Sequence, residues 1–327
     1  MPDLPETPTV AAIYSHYEGR PDERRTYLGG SRIGEECRRM LWLEFRWAGR
    51  AVFEGRILRL FETGHREEER IFVNLRAVGI RVEGTQHAIE EVEGHVRGHL
   101  DGVVLGLLES PKTWHVAEVK TMNRRGFDKL VKEGVEKAKP VHFAQMQLYG
   151  FKSELTRWVY IVQCKDDDRL YLERGEIKKN FAKELIRKAR AIVYTDEAPA
   201  RIANDPTFWQ CKRCNMYAHC WQKRFPDVNC RTCAHAKATD WGDGAWECFR
   251  GFTSADKTPG HRNAEDQAKG CEQHIYLPSL LHWLTPKGGD QGHIEYDDFN
   301  NTSADGFPTN DKHCATSLEL HASTLPT

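Results

Sequence analysis

The sequence lacks any apolar run long enough to cross a membrane, and its N-terminus lacks a basic start followed by an apolar core. A membrane-spanning helix needs about 20 consecutive apolar residues, and a secretory signal needs both features that are missing here. We therefore expect a cytoplasmic protein with no membrane partner.

An excess of charge of one sign is also missing, since the formal net charge is -1. The total charge therefore does not indicate a nucleic-acid-binding protein, but the charge is unevenly distributed. Residues 120–139 carry seven Lys or Arg against three acidic residues, and residues 178–190 carry six against one. The tail from Thr285 carries seven acidic residues against two lysines. An acidic tail can cancel the charge of a basic binding surface in the net charge of the whole chain. Basic runs are, however, also common on solvated helix faces.

Apolar periodicity predicts an α/β fold with a mixed sheet flanked by helices. The predicted elements are a helix over Phe53–Gly79, strands over Thr85–Val92, Val96–Leu108 and Trp114–Thr121, a helix over His142–Glu154, strands over Arg157–Cys164 and Arg169–Arg174, and a helix over Gly175–Tyr194. The composition changes after these elements. We therefore predict a first domain over residues 1–225, a cysteine-rich module over 226–284, and a polar tail or small β appendage over 285–327.

Two acidic residues and a lysine form the first candidate site. Glu118 and Lys120 lie two residues apart on a predicted strand, so they project from the same face. Asp101 lies on the preceding strand of a predicted hairpin and can meet them across the ladder. Two carboxylates in one pocket suit Mg²⁺ or Mn²⁺, and an adjacent lysine can stabilise charge on a phosphate. A bare Asp…Glu-x-Lys pattern is common on solvated strands, but apolar residues surround these charges.

These residues belong to a series of motifs, Gly98-x-x-Asp101-Gly102, Glu118-x-Lys120 and Gln145-x-x-x-Tyr149, in that order. The series resembles the RecB-type branch of the PD-(D/E)XK nucleases, which have a restriction-endonuclease-like fold. The resemblance implies a metal-dependent DNA exonuclease that acts on single strands or resected ends in recombination, repair or phage replication.

The resemblance also assigns residue roles. It implies that Asp101, Glu118 and the backbone carbonyl of Val119 bind Mg²⁺ or Mn²⁺, that Lys120 is the catalytic lysine, and that Gln145 and Tyr149 lie beside the active site. A further metal ligand on the preceding helix is either His65 or Glu68. We expect DNA phosphate contacts from Arg38, Arg39, Arg124 and Arg125. A DNA-binding or interaction subunit that no longer cuts, and an RNA substrate, stay open as alternatives.

Ten cysteines in a cytoplasmic chain favour metal binding over disulfides. One set, Cys211-x₂-Cys214-x₅-Cys220, is one ligand short of a four-thiolate site, and Cys37 is the candidate for the fourth. An early cysteine that joins such a late set resembles the arrangement in RecB-like nucleases with a [4Fe–4S] cluster. The resemblance implies a structural iron–sulfur clamp on these four residues. A zinc site with the same ligands is the alternative.

A second set of four cysteines follows, with the spacing C-x₂-C-x₁₄-C-x₂₂-C over Cys230, Cys233, Cys248 and Cys271. This order is typical of structural zinc sites, and His235 or His274 could replace one cysteine. A second iron–sulfur cluster or a set of free thiols stays open. The module around these residues could bind DNA or a protein partner.

Overall fold

The structure is a computed structural model that describes residues 7–20, 24–250, 260–289, 294–296 and 313–314. None of the helices in these ranges is long and apolar enough to cross a membrane. The described helices are α1 (Pro8–Glu18), α2 (Arg38–Phe45), α3 (Gly55–Ala77), α4 (Arg124–Glu133), α5 (Val135–Ala138), α6 (Pro140–Lys152), α7 (Lys179–Tyr194), α8 (Trp209–Lys212), α9 (Tyr217–Trp221) and α10 (Ala264–Lys269). The described strands are β1 (Leu28–Gly29), β2 (Arg81–Glu83), β3 (Ala88–Glu91), β4 (Val96–His99), β5 (Gly102–Leu105), β6 (His115–Met122), β7 (Arg157–Cys164), β8 (Leu170–Glu176), β9 (Ala236–Ala238), β10 (Trp246–Cys248), β11 (Gly260–Arg262), β12 (Pro286–Gly289), β13 (Ile294–Tyr296) and β14 (His313–Cys314).

A five-stranded sheet with the order β2-β5-β6-β7-β8 forms the centre of the fold. β6 and β7 are parallel, and the other neighbouring strands are antiparallel. Parallel strands need a long crossover connection, and α4, α5 and α6 supply it between β6 and β7. The fold is therefore the mixed α/β arrangement, with a central mixed sheet flanked by helices, that the sequence predicts.

The central strands send alternate side chains into two different cores, because successive side chains of a strand point to opposite faces. Val159 and Ile161 of β7 pack in one core with Ile71 and Phe72 of α3. Tyr160, which lies between the two strand residues, joins the opposite core with side chains of α2, α6 and α7. Both faces of the central strands are therefore covered, and a charged side chain there has to be paired or has to bind a ligand.

A second sheet has the order β1-β4-β3. It packs against α6, since Gly98 of β4 lies against the Tyr149 side chain. β4 pairs with β1 in parallel and with β3 in antiparallel orientation. The chain then leaves β4, passes through Leu100 and Asp101, and enters β5 of the central sheet. Asp101 therefore lies at the junction of the two sheets.

The cysteine-rich segment packs directly on the first part of the chain. β9, β10 and β11 form an antiparallel sheet in which β10 is central. Trp246 of β10 is fully buried and belongs to the same core as Leu41 and Trp42 of α2. Within the described ranges, β12, β13 and β14 form a further small antiparallel sheet.

One predicted strand is divided in the structure, and one stretch for which no element was predicted forms a helix. The predicted strand Val96–Leu108 is divided into β4 and β5, because the chain changes sheets at Asp101. The basic stretch after β6 forms helix α4, whose first turn is capped where the Asn123 side chain accepts the N–H of Gly126 at 2.9 Å. The predicted helix over Phe53–Gly79 is confirmed as α3.

Candidate active site and thiol sites

Asp101, Glu118 and Lys120 converge at one point of the central sheet. Glu118 and Lys120 project from the same face of β6, and Asp101 immediately precedes the neighbouring strand β5. Asp101 Oδ2 accepts the N–H of Val119 at 2.8 Å and lies 3.3 Å from Lys120 Nζ. Lys120 Nζ also donates to the Val119 carbonyl at 2.9 Å and forms an ion pair with Glu118. The structure therefore brings together the three side chains that the sequence predicts to meet.

A positive charge lies at the centre of the three oxygen donors that are predicted to bind metal. The Asp101 carboxylate, the Glu118 carboxylate and the Val119 carbonyl all contact Lys120 Nζ. The ammonium group is a cation held by oxygen donors, and hard oxygen donors of this kind suit Mg²⁺ or Mn²⁺. The donor set therefore fits the implied metal. Among the described residues, no three His, Cys, Asp or Glu side chains are themselves arranged to hold an ion, and one of the donors here is a backbone carbonyl.

Burial controls the charge of this site. Only 1% of Glu118 and 8% of Asp101 is exposed. Burial raises the pKa of Glu118 to about 8, against the opposing effect of the Lys120 charge and with the help of the Asp101 charge. For Lys120, burial lowers the pKa, but Glu118 and Asp101 outweigh it, and the net pKa is raised. Lys120 therefore stays protonated and offsets the repulsion between the two carboxylates.

Helix α6 lies beside the site and carries Gln145 and Tyr149, the two residues predicted to be there. Gln145 is 5% exposed, and its Nε2 donates to Glu118 Oε2 at 2.7 Å. Tyr149, one turn later, is buried against two glycines. A Cβ on Gly98 would lie 1.9 Å from the Tyr149 hydroxyl oxygen, and a Cβ on Gly30 would lie 2.7 Å from its ring. The glycine of the Gly98 motif therefore makes room for Tyr149, which packs against the sheet beside the carboxylates.

Helix α3 brings Glu68 towards the same charges. Burial raises the pKa of Glu68 to about 7, and the negative charge of Asp101 raises it further, whereas Lys120 lowers it. Gln86 Nε2 donates to Glu68 Oε1 at 3.1 Å. His65, one turn earlier, is exposed and lines the same cleft of about 330 Å³ as Glu68 and Gln86. Glu68 is half-buried and His65 is exposed, and the choice between them as a metal ligand stays a prediction.

The sequence prediction missed a histidine–tyrosine pair next to Lys120. His142 of α6 and the hydroxyl of Tyr160 on β7 are 2.5 Å apart, with His142 Nδ1 as the ring atom. Burial lowers the pKa of His142 to about 3, and the Lys120 charge lowers it further. Tyr160 is in register with Glu118 across the parallel pair of strands. The spacing of three residues between His142 and Gln145 would have placed both on one helix face.

Three of the four predicted phosphate-binding arginines are exposed, and one is not. Arg38, Arg124 and Arg125 are exposed, although Arg124 forms an ion pair of 3.2 Å with Asp167. Only 8% of Arg39 is exposed, and it donates to the carbonyl of Pro199 at 3.1 Å. The structure therefore argues against the predicted phosphate contact of Arg39, whose side chain is committed to the protein interior.

The first set of cysteines surrounds one cavity. Cys37 caps α2 by accepting the N–H of Met40 at 3.4 Å, and Cys211 and Cys220 lie on α8 and α9. These three residues and Cys214 line a cavity of about 580 Å³. Burial raises the pKa of Cys214 to about 11, and charge on Cys37 or Cys220 raises it further. Four cysteines from two distant parts of the sequence therefore line one cavity, but no three of the described cysteines are close enough together to hold a metal ion. The predicted ligand set stays a prediction.

The thiols of the second cysteine set are also close enough for their charges to interact. Burial raises the pKa of Cys230 to about 11, and charge on Cys233, Cys248 or Cys271 raises it further. Cys248 ends β10 and pairs with Ala236, which lies three residues after Cys233. The four thiols that the sequence groups together therefore influence one another electrostatically, although no three of the described cysteines are close enough together to hold a metal ion.

Comparison with known proteins gives distant structural likenesses. No protein-family model matches the sequence, and no curated protein matches it significantly. The chain is similar to LHK-Exo, an alkaline exonuclease from Laribacter hongkongensis, with a TM-score of 0.39 and 14% identity over 56% of this chain and 90% of that chain. The complex of LHK-Exo with dAMP gives a TM-score of 0.37 and 16% identity over the same shares. The protein SSO0001 gives 0.38 and 15% identity over 65% of this chain and 95% of that chain.

Proposed function

We propose that this protein is a metal-dependent DNA nuclease of the PD-(D/E)XK type, from the RecB-like branch with its restriction-endonuclease-like fold. One observation carries the proposal: two buried carboxylates, from Asp101 and Glu118, and the Val119 carbonyl surround a single cationic nitrogen. A protein keeps such a cluster of buried charge where a cation and a polar reaction need it, because burial of charge without that need is costly.

Asp101, Glu118 and the Val119 carbonyl would hold Mg²⁺ or Mn²⁺, with Glu68 as a further ligand. The bound metal supplies an activated water molecule and offsets negative charge on the phosphate. A metal ion and an ammonium group could not share the same three oxygens, so Lys120 would have to turn outward for the ion to bind. Its side chain is 31% exposed, which leaves it a path towards the solvent side. There the ammonium would stabilise charge on the phosphate, while the hydrogen bond from Gln145 would keep the Glu118 carboxylate in position.

The DNA would lie along the exposed basic surface that follows the catalytic strand. α4 begins four residues after Lys120, and Arg124 and Arg125 in its first turn are exposed. Exposed arginines bind phosphate without reading base sequence. We propose an exonuclease that processes single strands or resected ends in recombination, repair or phage replication.

The four-cysteine cavity would hold a [4Fe–4S] cluster. Cys37 lies at the start of α2, and its partners lie on and between α8 and α9. A cluster bound to all four thiolates would close a loop of more than half the chain, and such closures stabilise a fold by reducing the entropy of the unfolded state. Its role in this proposal is structural.

The proposal is tested by nuclease assays of Lys120→Ala. The parent protein should degrade single-stranded or duplex DNA when Mg²⁺ or Mn²⁺ is added and should stop when the metal is chelated. Lys120→Ala should lower the rate by about 10²–10³-fold, the usual effect of removing one charge-stabilising group, and should still bind Mn²⁺, because it leaves the oxygen donors in place.

Lys112→Ala is the matched control, since Lys112 is exposed in the turn that precedes β6. It should cut at the parental rate. A parent protein that binds DNA but shows no metal-dependent cutting of any DNA form would contradict the proposal and favour a silent DNA-binding subunit. Parallel assays on RNA of the same sequence decide between the two nucleic acids.

A further inference from the structure

The cysteine-rich segment contains a site that the nuclease function does not use. Its three strands, β9, β10 and β11, have three residues each. Sheets this small are marginal without a cross-link or a metal ion. The described cysteines are free thiols, so a disulfide does not supply the missing stabilisation in this structure.

Backbone hydrogen bonds bring the four cysteines of this segment onto adjacent pieces of chain. Cys233 forms a bridge with Tyr276, and the N–H of Ala234 donates to the Ile275 carbonyl at 2.8 Å. The N–H of Phe249 donates to the His235 carbonyl at 2.8 Å, which places Cys248 beside the same turn. Cys271 begins the turn that leads into this bridge, because its carbonyl accepts the N–H of His274 at 3.1 Å.

Arg231, between the first two cysteines, is inserted into the nuclease core. It is 1% exposed, and its guanidinium donates to the carbonyls of Phe45 and Thr26 at 3.1 and 2.6 Å and to Gln267 at 2.8 Å. The same group lies 4.0 Å from the ring centroid of Trp47. A buried guanidinium with carbonyl partners is stable only if the turn that carries it is rigid, since partial exposure would break several hydrogen bonds at once.

We propose that Cys230, Cys233, Cys248 and Cys271 bind one structural Zn²⁺ that fixes the turn around Arg231 and thereby attaches the cysteine-rich segment to α2. Four thiolates with a C-x₂-C pair match tetrahedral zinc. No three of the described cysteines are close enough together to hold an ion in this structure, so metal binding would displace the thiol protons and draw the four side chains closer together. The proposal does not depend on nuclease activity, and its readouts are metal content and stability.

The experiment measures zinc and iron in the full-length protein by inductively coupled plasma mass spectrometry. The parent should contain one zinc per chain. Cys271→Ser should lose this zinc, because it removes one ligand, and the substitution is mild since Cys271 is exposed. Cys37→Ser is the matched control in the other thiol set, and it should keep the zinc.

A second measurement applies to the parent protein, so that a variant that fails to fold does not leave the question open. Co²⁺ exchanged into the parent should give the visible absorption of tetrahedral thiolate cobalt. Chelation of the zinc should lower the melting temperature. A parent without zinc, zinc retained in folded Cys271→Ser, or iron in place of zinc on this set would each overturn the proposal.

Discussion

The choice between His65 and Glu68 belongs to the scale of single residues. Glu68 is half-buried and interacts electrostatically with Asp101 and Lys120, whereas His65, one turn earlier, is exposed. We predict that Glu68→Gln weakens Mn²⁺ binding by about tenfold, because it removes one charged oxygen donor, whereas His65→Gln leaves it unchanged. Isothermal titration calorimetry with Mn²⁺ checks both variants, and the opposite order of effects would assign the metal to His65.

Gly98 gives a prediction about packing. A methyl group at this position would meet the Tyr149 hydroxyl at 1.9 Å, so Gly98→Ala has to displace the tyrosine or the strand. We expect it to lower the free energy of unfolding by about 1–3 kcal/mol, as other overpacked core substitutions do, and to lower nuclease activity, since Tyr149 packs beside the carboxylates. Chemical denaturation and cleavage assays measure the two effects.

Gly64→Ala is the control for Gly98→Ala. Gly64 lies inside α3, and a Cβ there would have no atom within 4 Å. Because alanine favours a helix over glycine by about 1 kcal/mol, this variant should be as stable as the parent or more stable. If both variants behave alike, the contact between Gly98 and Tyr149 is not the reason for glycine in the motif.

At the scale of elements, Arg231 and Arg46 join α2 to the cysteine-rich segment. Arg46 is 1% exposed and donates to the Arg231 carbonyl at 3.2 Å and to Asp196 at 2.7 Å. Burial lowers the pKa of Arg231 to about 9, and the charges of Arg46 and Arg24 lower it further. These contacts join elements that are distant in sequence, since Arg46 and Arg231 are 185 residues apart.

We predict that Arg231→Ala lowers the free energy of unfolding by about 2–5 kcal/mol, because it leaves a cavity between aromatic rings and leaves carbonyl groups without donors. Zinc content should stay at the parental level, since the cysteines are unchanged. Arg187→Ala, at a position whose side chain is 74% exposed, is the control and should change stability by no more than about 0.5 kcal/mol. A loss that small for Arg231→Ala would mean that the guanidinium does not hold the two elements together.

At the scale of the whole molecule, His95 lies where the second sheet, α7 and the cysteine-rich segment meet. Its ring packs edge-on against Phe45, Tyr194 and Trp246, and its Nε2 lies 2.8 Å from the Thr239 carbonyl. Burial lowers the pKa of His95, with the charges of Arg231 and Arg97 acting in the same direction and Glu93 and the Thr239 carbonyl acting against them.

The lowered pKa gives a prediction about pH. The folded state holds His95 neutral, whereas the unfolded chain takes up a proton below a pH of about 6.5. Unfolding then binds a proton, so the stability that His95 contributes is present above this pH and is lost as the pH falls. We predict that the stability difference between the parent and His95→Gln shrinks between about pH 7.5 and pH 5.5. Denaturant titrations measure it, and a constant difference would mean that His95 does not titrate on unfolding.

The chemistry of the site could be predicted from short stretches of sequence, because it depends on the type and spacing of neighbouring residues. Glu118 and Lys120 share a face of any strand, and their pairing with Asp101 follows from one hairpin. The long helix α3 follows from its apolar periodicity. The position of Asp101 between two sheets could not be predicted in this way. The alternation of residues along Val96–Leu108 is the same whether the chain forms one strand or changes sheets at Asp101.

The amino-acid sequence therefore decides which groups are available: oxygen donors beside a lysine, and two sets of four thiols. Only the folded chain decides which of them come near one another. Cys37 and Cys211 line one cavity although more than half of the sequence separates them. Glu68 approaches Asp101 from a separate helix, and Arg39 turns inward although it lies beside the exposed Arg38. The physical reason is that burial and long-range contact energies depend on the surroundings that distant segments provide, and no local pattern records those surroundings.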